Sequence, residues 1–106
     1  MIPVFALIAQ LDALPETHTQ VARLLASYRD RVVEEPGNVR FVPFAAAADA
    51  AEFWVYEEYR DEHAFRVHLE TAHNQEFNEA VGPLLRSGAA RLRILSPLAT
   101  EEVPNG

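Results

Sequence analysis

The chain contains no cysteine, which excludes disulfides, thiolate-bound zinc and a thiol nucleophile. It is short of positive charge, with 9 basic residues against 16 acidic ones and a net charge of −7. Nucleic acid and anionic membranes both demand a basic face, so neither is expected as a partner. Glycine is sparse: Gly37, Gly82, Gly88 and Gly106 stand isolated, giving no glycine-rich loop for a phosphate or dinucleotide. Long apolar runs are missing as well. The first ends at Leu11 with Gln10 inside it and has no basic leader, too short for a membrane span and unlike a signal peptide. These absences leave a cytoplasmic protein as the expectation. With 106 residues the chain fits one domain that buries ~60–65% of its unfolded surface.

What is present reads as alternating elements. Residues 3–11 form an apolar run rich in strand formers, as in a strand covered on both faces. Pro15 suits the first turn of a helix, along which Val21, Leu24, Leu25, Tyr28 and Val32 recur at helical spacing. Glu35-Pro36-Gly37-Asn38 stops it. A second strand runs from Val39 to Phe44, with Pro43 confining it to an edge or a bulge. The alanine-rich piece 45–51 reads as a hairpin loop around Asp49, leading into a third strand from Phe53 to Tyr59. Asp61 looks like the N-cap of a short helix carrying Phe65, His68 and Leu69. Thr71 looks like the cap of another, with Phe77, Val81, Leu84 and Leu85 at helical intervals and Gly82-Pro83 weakening its end. A last strand spans Ala89 to Leu95. The domain is taken as 1–99, and the acidic tail Thr100–Gly106 is expected to fray.

The order βαββααβ, with two crossovers and one hairpin, predicts an α+β ferredoxin-like fold on a four-stranded antiparallel sheet. Helices shield only one face of such a sheet. The third strand nevertheless sends Phe53, Val55 and Tyr59 one way and Trp54 and Tyr56 the other. A second copy is the simplest cover for the remaining apolar face, so a homodimer pairing sheet to sheet is expected.

Tyr56-Glu57-x-Tyr59, Phe65-x-x-His68, Thr71-x-His73, Phe77 and the Pro36-Gly37-Asn38 turn together resemble the antibiotic biosynthesis monooxygenase family, which includes quinol monooxygenases. The resemblance runs from Val4 to about Pro97. It implies ferredoxin-like protomers forming a dimeric α/β barrel, each with a ligand cavity between sheet and helices. Several members of that family oxidise aromatic polyketides or quinols with O2, using neither metal nor flavin. Others isomerise small signalling molecules, degrade haem, or have no known reaction. In the haem-degrading branch the axial histidine falls about ten residues beyond the position of His68, where this chain has Asn78; haem is therefore not expected.

His68 shares a helix face with Phe65, and a histidine on an apolar face suits removal of a phenolic proton. It equally suits a core role with one backbone partner, or a dimer contact. Glu57 shares the strand face of Phe53, Val55 and Tyr59, so it must find a partner or take up a proton. It could orient His68, hold a substrate hydroxyl, or pair with Arg40, Arg91 or Arg93. His73, near a helix N-terminus, could line a cavity mouth or simply pack. His63 and His18 read as solvated. His63, His68 and His73 are spaced by five residues, which on one helix turns successive side chains about 140° apart. They are not expected to converge, and no metal is predicted. Phe41, Trp54, Tyr59, Phe65, His73 and Phe77 are the candidate lining of a pocket for a small aromatic molecule, although aromatic residues are more often plain core.

The leading functional expectation is a cofactor-independent monooxygenase of a small aromatic or quinol, with His68 and Glu57 catalytic. The alternatives are an isomerase of a small polyoxygenated, perhaps phosphorylated, metabolite and a non-catalytic ligand-binding dimer.

Overall fold

The computed structural model describes residues 4–98. The tail from residue 100 and the expected domain end at 99 lie outside them. Strand β1 (Phe5–Asp12) leads through a 3-10 turn at Pro15–Thr17 into helix α1 (His18–Val32). Strands β2 (Asn38–Ala46) and β3 (Asp49–Tyr59) form a hairpin. Helices α2 (Glu62–Leu69) and α3 (Ala72–Val81) follow, then a 3-10 turn at Gly82–Leu84 and strand β4 (Arg91–Leu95). The antiparallel sheet has the order β2-β3-β1-β4, the ferredoxin-like arrangement. Among the described residues no helix is long and apolar enough to cross a membrane.

Local signals explain most boundaries. Asp61 accepts the Ala64 N–H at 2.8 Å and opens α2; Thr71 accepts the Asn74 N–H at 3.2 Å and opens α3. Pro43 lies on β2, an edge strand, as its missing N–H requires. Several details depart from the sequence reading. Pro15 opens a 3-10 turn, and α1 proper starts at His18. The alanine-rich piece is mostly strand, because β2 and β3 stay paired up to Ala46 opposite Asp49 and only Ala47 and Ala48 turn. Pairing with a neighbour overrides alanine's weak strand preference. Strand β4 begins at Arg91, after a turn in which Gly88 adopts φ 82°.

The helices cover one sheet face. Val21, Leu25, Tyr28 and Val32 of α1 and Phe77 and Val81 of α3 pack on Leu11, Phe41, Phe53 and Val55. A smaller cluster, Leu7, Tyr59, Ala64 and Phe65, lies under α2. Burying each large aliphatic here contributes ~1.5–3 kcal/mol. The cover stops short of β4: Leu92 and Ile94, opposite Ala9 and Leu7, remain about half exposed. The other sheet face carries Ile8, Val42, Phe44, Trp54 and Tyr56, and among the described residues no layer covers it, Phe44 being 56% exposed.

Gly37 fixes where α2 lies. Its carbonyl accepts the Arg60 N–H at 2.8 Å, and a Cβ placed on it would overlap that of buried Ala64. Gly37→Ala should therefore force α2 off the turn and destabilise the fold by roughly 1–3 kcal/mol. Chemical unfolding checks this; an unchanged midpoint would mean that the approach is looser than described.

Candidate functional site

Where the two apolar clusters meet, the protein buries polar groups. Three elements converge there: the turn after α1 brings Glu35, α2 brings His68, and α3 brings His73 and Asn74. The Glu35 carboxylate accepts from both imidazoles, 2.9 Å from His68 Nδ1 and 2.6 Å from His73 Nε2. The other ring nitrogen of His68, Nε2, lies 3.1 Å from the Tyr28 hydroxyl, to which the Asn74 side-chain amide donates at 2.8 Å.

Donor and acceptor inventories assign the protons. Tyr28 Oη accepts from Asn74, which frees its own hydrogen for His68 Nε2. The ring proton of His68 then sits on Nδ1 and goes to Glu35. The result is a directed chain, Asn74 to Tyr28 to His68 to Glu35. Every fully buried side-chain polar atom among the described residues has a partner. Burial holds the His68 imidazole below its ordinary pKa, with Glu35 pulling the other way. Burial likewise pushes the Tyr28 and Tyr59 hydroxyls upward. The chain thus holds a neutral imidazole and, at Tyr28, a neutral phenol.

Glu57 lies nearby on β3, directly across from Leu7 of β1 and Phe41 of β2. Those apolar neighbours desolvate it and push its pKa up to about 7; the Tyr59 hydroxyl, donating at 2.8 Å, opposes the rise and Glu35 adds to it.

The placement of the expected site residues can be stated one by one. Tyr59 and Phe65 flank His68 at ring-centroid distances of 5.1 and 6.0 Å. Phe77 stacks on Tyr28 at 4.1 Å, and Phe41 meets Tyr28 edge-on at 5.4 Å. His73 joins the cluster through Glu35. Trp54 does not: it projects from the opposite sheet face, where its Nε1–H donates to Glu52. Among the described residues no hydrogen bond links Glu57 to His68, so the orienting carboxylate is Glu35. Of the three arginines suggested for Glu57, Arg40 pairs with Glu58 and Arg91 with Asp12, and Arg93 stands opposite Ile8, on the other sheet face. His63 is exposed.

Two expectations need correcting. His68 and His73 converge, their donor atoms lying within 4.8 Å of each other and of Glu35. The single-helix rotation does not apply, because the chain breaks at Glu70-Thr71 between α2 and α3. The second concerns the open chamber expected beside His68. In one protomer the rings of Tyr28, Tyr59, Phe65 and Phe77 fill that region, and His68 is only 2% exposed. A groove of about 250 Å³ lies between α1 and α3, lined by Leu24, Tyr28, Arg31, His73, Glu76 and Phe77 among others; it touches Tyr28 and His73 and does not reach His68. Glu35, Tyr28 and Asn74 were not singled out as site residues. Only the position of Glu35 beside a helix stop hinted that it faces inward.

The protein is thus a small α+β domain on a ferredoxin-like sheet, with a His/Glu/Tyr cluster between sheet and helices. The chain belongs to the antibiotic biosynthesis monooxygenase family, whose profile matches residues 4–80. Solved structures agree on the fold. PA3566 from Pseudomonas aeruginosa is 25% identical with a TM-score of 0.85, covering 93% of this chain and 98% of its own. Rv0793 from Mycobacterium tuberculosis is 24% identical with a TM-score of 0.84, covering 91% and 96%. A conserved protein from Methanosarcina mazei is 17% identical with a TM-score of 0.84, covering 90% and 93%. No curated protein matches the chain significantly.

Because Glu57 has a folded-state pKa raised from 4.5 to about 7, its protonated form favours folding. That contribution is complete below about 4.5 and is lost as pH rises through about 7. The unfolding free energy of wild type relative to Glu57→Gln should fall by about 3 kcal/mol across this window. Denaturant titrations at several pH values check it, and a difference independent of pH would contradict the assignment.

Proposed function

We propose that this protein is a cofactor-independent monooxygenase of a small quinol or electron-rich phenol. The observation that carries the reading is His68 held between Glu35 and Tyr28 within aromatic walls. A substrate hydroxyl reaching Tyr28 from the α1–α3 groove passes its proton to the Tyr28 oxygen as the tyrosine's own hydrogen moves to His68 Nε2. Glu35 stabilises the imidazolium that forms. The high pKa of Tyr28 keeps it a conduit and not a resting anion. Glu57, close to half-protonated at neutral pH, is available to hold a second substrate hydroxyl.

The substrate anion then reduces O2 directly. For a quinol, one oxygen atom enters the ring to give a hydroxyquinone and the other leaves as water, so the quinol supplies all four electrons. The ring cluster excludes bulk water from the intermediate.

A non-catalytic ligand-holding module is the second reading, favoured by one fact: both ring nitrogens of His68 already have protein partners. For the phosphorylated-substrate isomerase one feature speaks, Arg31 on the wall of the α1–α3 groove; the ion-paired arginines lie on Asp30, Glu58, Glu62 and Asp12.

Oxygen-electrode assays on chelator-treated protein with a quinol panel test the proposal. Uptake should occur without added cofactor, with kcat/KM falling ~10²–10⁴-fold in His68→Ala and less in Glu35→Gln. No uptake with any quinol would favour the ligand-holding module, and uptake indifferent to His68→Ala would remove its role.

The same proposal includes a homodimer over the open sheet face. That face presents Val42, Phe44, Ile8, Trp54 and Tyr56, bordered by the Arg40–Glu58 and Arg91–Asp12 pairs. On the helix side, Leu92 and Ile94 of β4 are a further apolar patch, about half exposed. Sedimentation should report a dimer that Phe44→Asp converts to monomer. A wild-type monomer would contradict the pairing.

A further inference from the structure

The Glu35 carboxylate raises a question of charge. Its side chain is only 10% exposed, and its ion-pairing partners among the described residues are two histidines. The arginine side chains in ion pairs all lie elsewhere. The Glu35 oxygens thus face two imidazole nitrogens, and among the described residues no arginine is ion-paired to them.

We propose that Glu35, His68 and His73 form a binding site for one divalent first-row transition cation per protomer, of the Zn²⁺ or Co²⁺ kind. Two imidazole nitrogens and one carboxylate oxygen are a donor set such ions favour, leaving a fourth position for water or an added ligand. The three donor atoms lie within 4.8 Å of one another. They are hydrogen-bonded at 2.6 and 2.9 Å; around a tetrahedral ion with bonds of about 2.0–2.1 Å the donors stand roughly 3.3 Å apart. The two Glu35 contacts would lengthen by under an ångström, and the imidazole nitrogens, within 4.8 Å of each other, would draw together by up to about 1.5 Å.

The surroundings have the features of a metal centre. His68 would bind through Nδ1, which needs its ring proton moved to Nε2. There the Tyr28 oxygen, already held by Asn74, stands ready to accept it. Such an outer hydrogen bond is what fixes the tautomer of a metal-bound histidine. His73 also lines the α1–α3 groove, which gives an ion its way in. The ligands come from the turn after α1, from α2 and from α3, so an ion would tie three elements together and raise thermal stability. It would also draw Glu35 from His68 and suppress the proton relay. The site goes beyond the oxygenase reading and stands without it.

The test uses chelator-treated full-length protein titrated with Co²⁺, followed by visible absorption and calorimetry. One ion per protomer with the intense bands of four-coordinate cobalt is expected, together with a rise in Tm on adding Zn²⁺. Affinity should drop at least tenfold in His73→Ala and in Glu35→Gln, and stay unchanged in the exposed-site control His63→Ala. Should Glu35→Gln fail to fold, His73→Ala, at the groove wall, decides. Binding below one ion in several protomers, or binding unaffected by His73→Ala, overturns the site. Oxygen uptake without metal and Co²⁺ binding are read separately, so either can fail while the other stands.

Discussion

The Glu35 carboxylate receives hydrogen bonds from imidazoles on two different helices, and the buried site is organised around that convergence. A carboxylate out of water is tolerated only when donors surround it. Meeting that requirement sets the angle at which α2 and α3 approach the turn after α1. It also determines which nitrogen of His68 carries the proton and, through that choice, the direction of the Tyr28–Asn74 bond. Gly37, two residues on, lets the α2 backbone come close enough for the arrangement to form.

The two carboxylates of the site meet different neighbours. Glu35 sits at a turn and meets donors. Glu57 sits mid-strand between Leu7 and Phe41, with one tyrosine hydroxyl as its hydrogen-bond donor. Desolvation wins at Glu57 and brings its titration near neutrality, where a carboxyl group can act as acid or base. The sheet thus holds a poised group directly beneath the helices that hold the imidazoles.

Much of this was legible in the sequence. The caps Asp61 and Thr71, the edge position of Pro43 and the alternation of strand three all depend on neighbours a few residues away, and each was read correctly. Trp54, by the same alternation, belonged to the open face and could not share a pocket with Tyr59. Glu35 was read only as part of a helix stop, because its partners lie 33 and 38 residues away and no local pattern encodes such a pairing. Tyr28 passed as one more core position on α1. The convergence of His68 and His73 was within reach, since Thr71 had been read as a cap and so placed the two histidines on separate helices.

Family membership accounts for the sheet and the order of helices; the chemistry depends on how His68 is held. Long-range ¹H–¹⁵N spectra of the histidine side chains, on chelator-treated protein at neutral pH, test this most directly. The account predicts that His68 is a neutral Nδ1–H tautomer whose proton resonates far downfield and moves upfield in Glu35→Gln. An Nε2–H tautomer, or a His68 signal indifferent to Glu35→Gln, would contradict it.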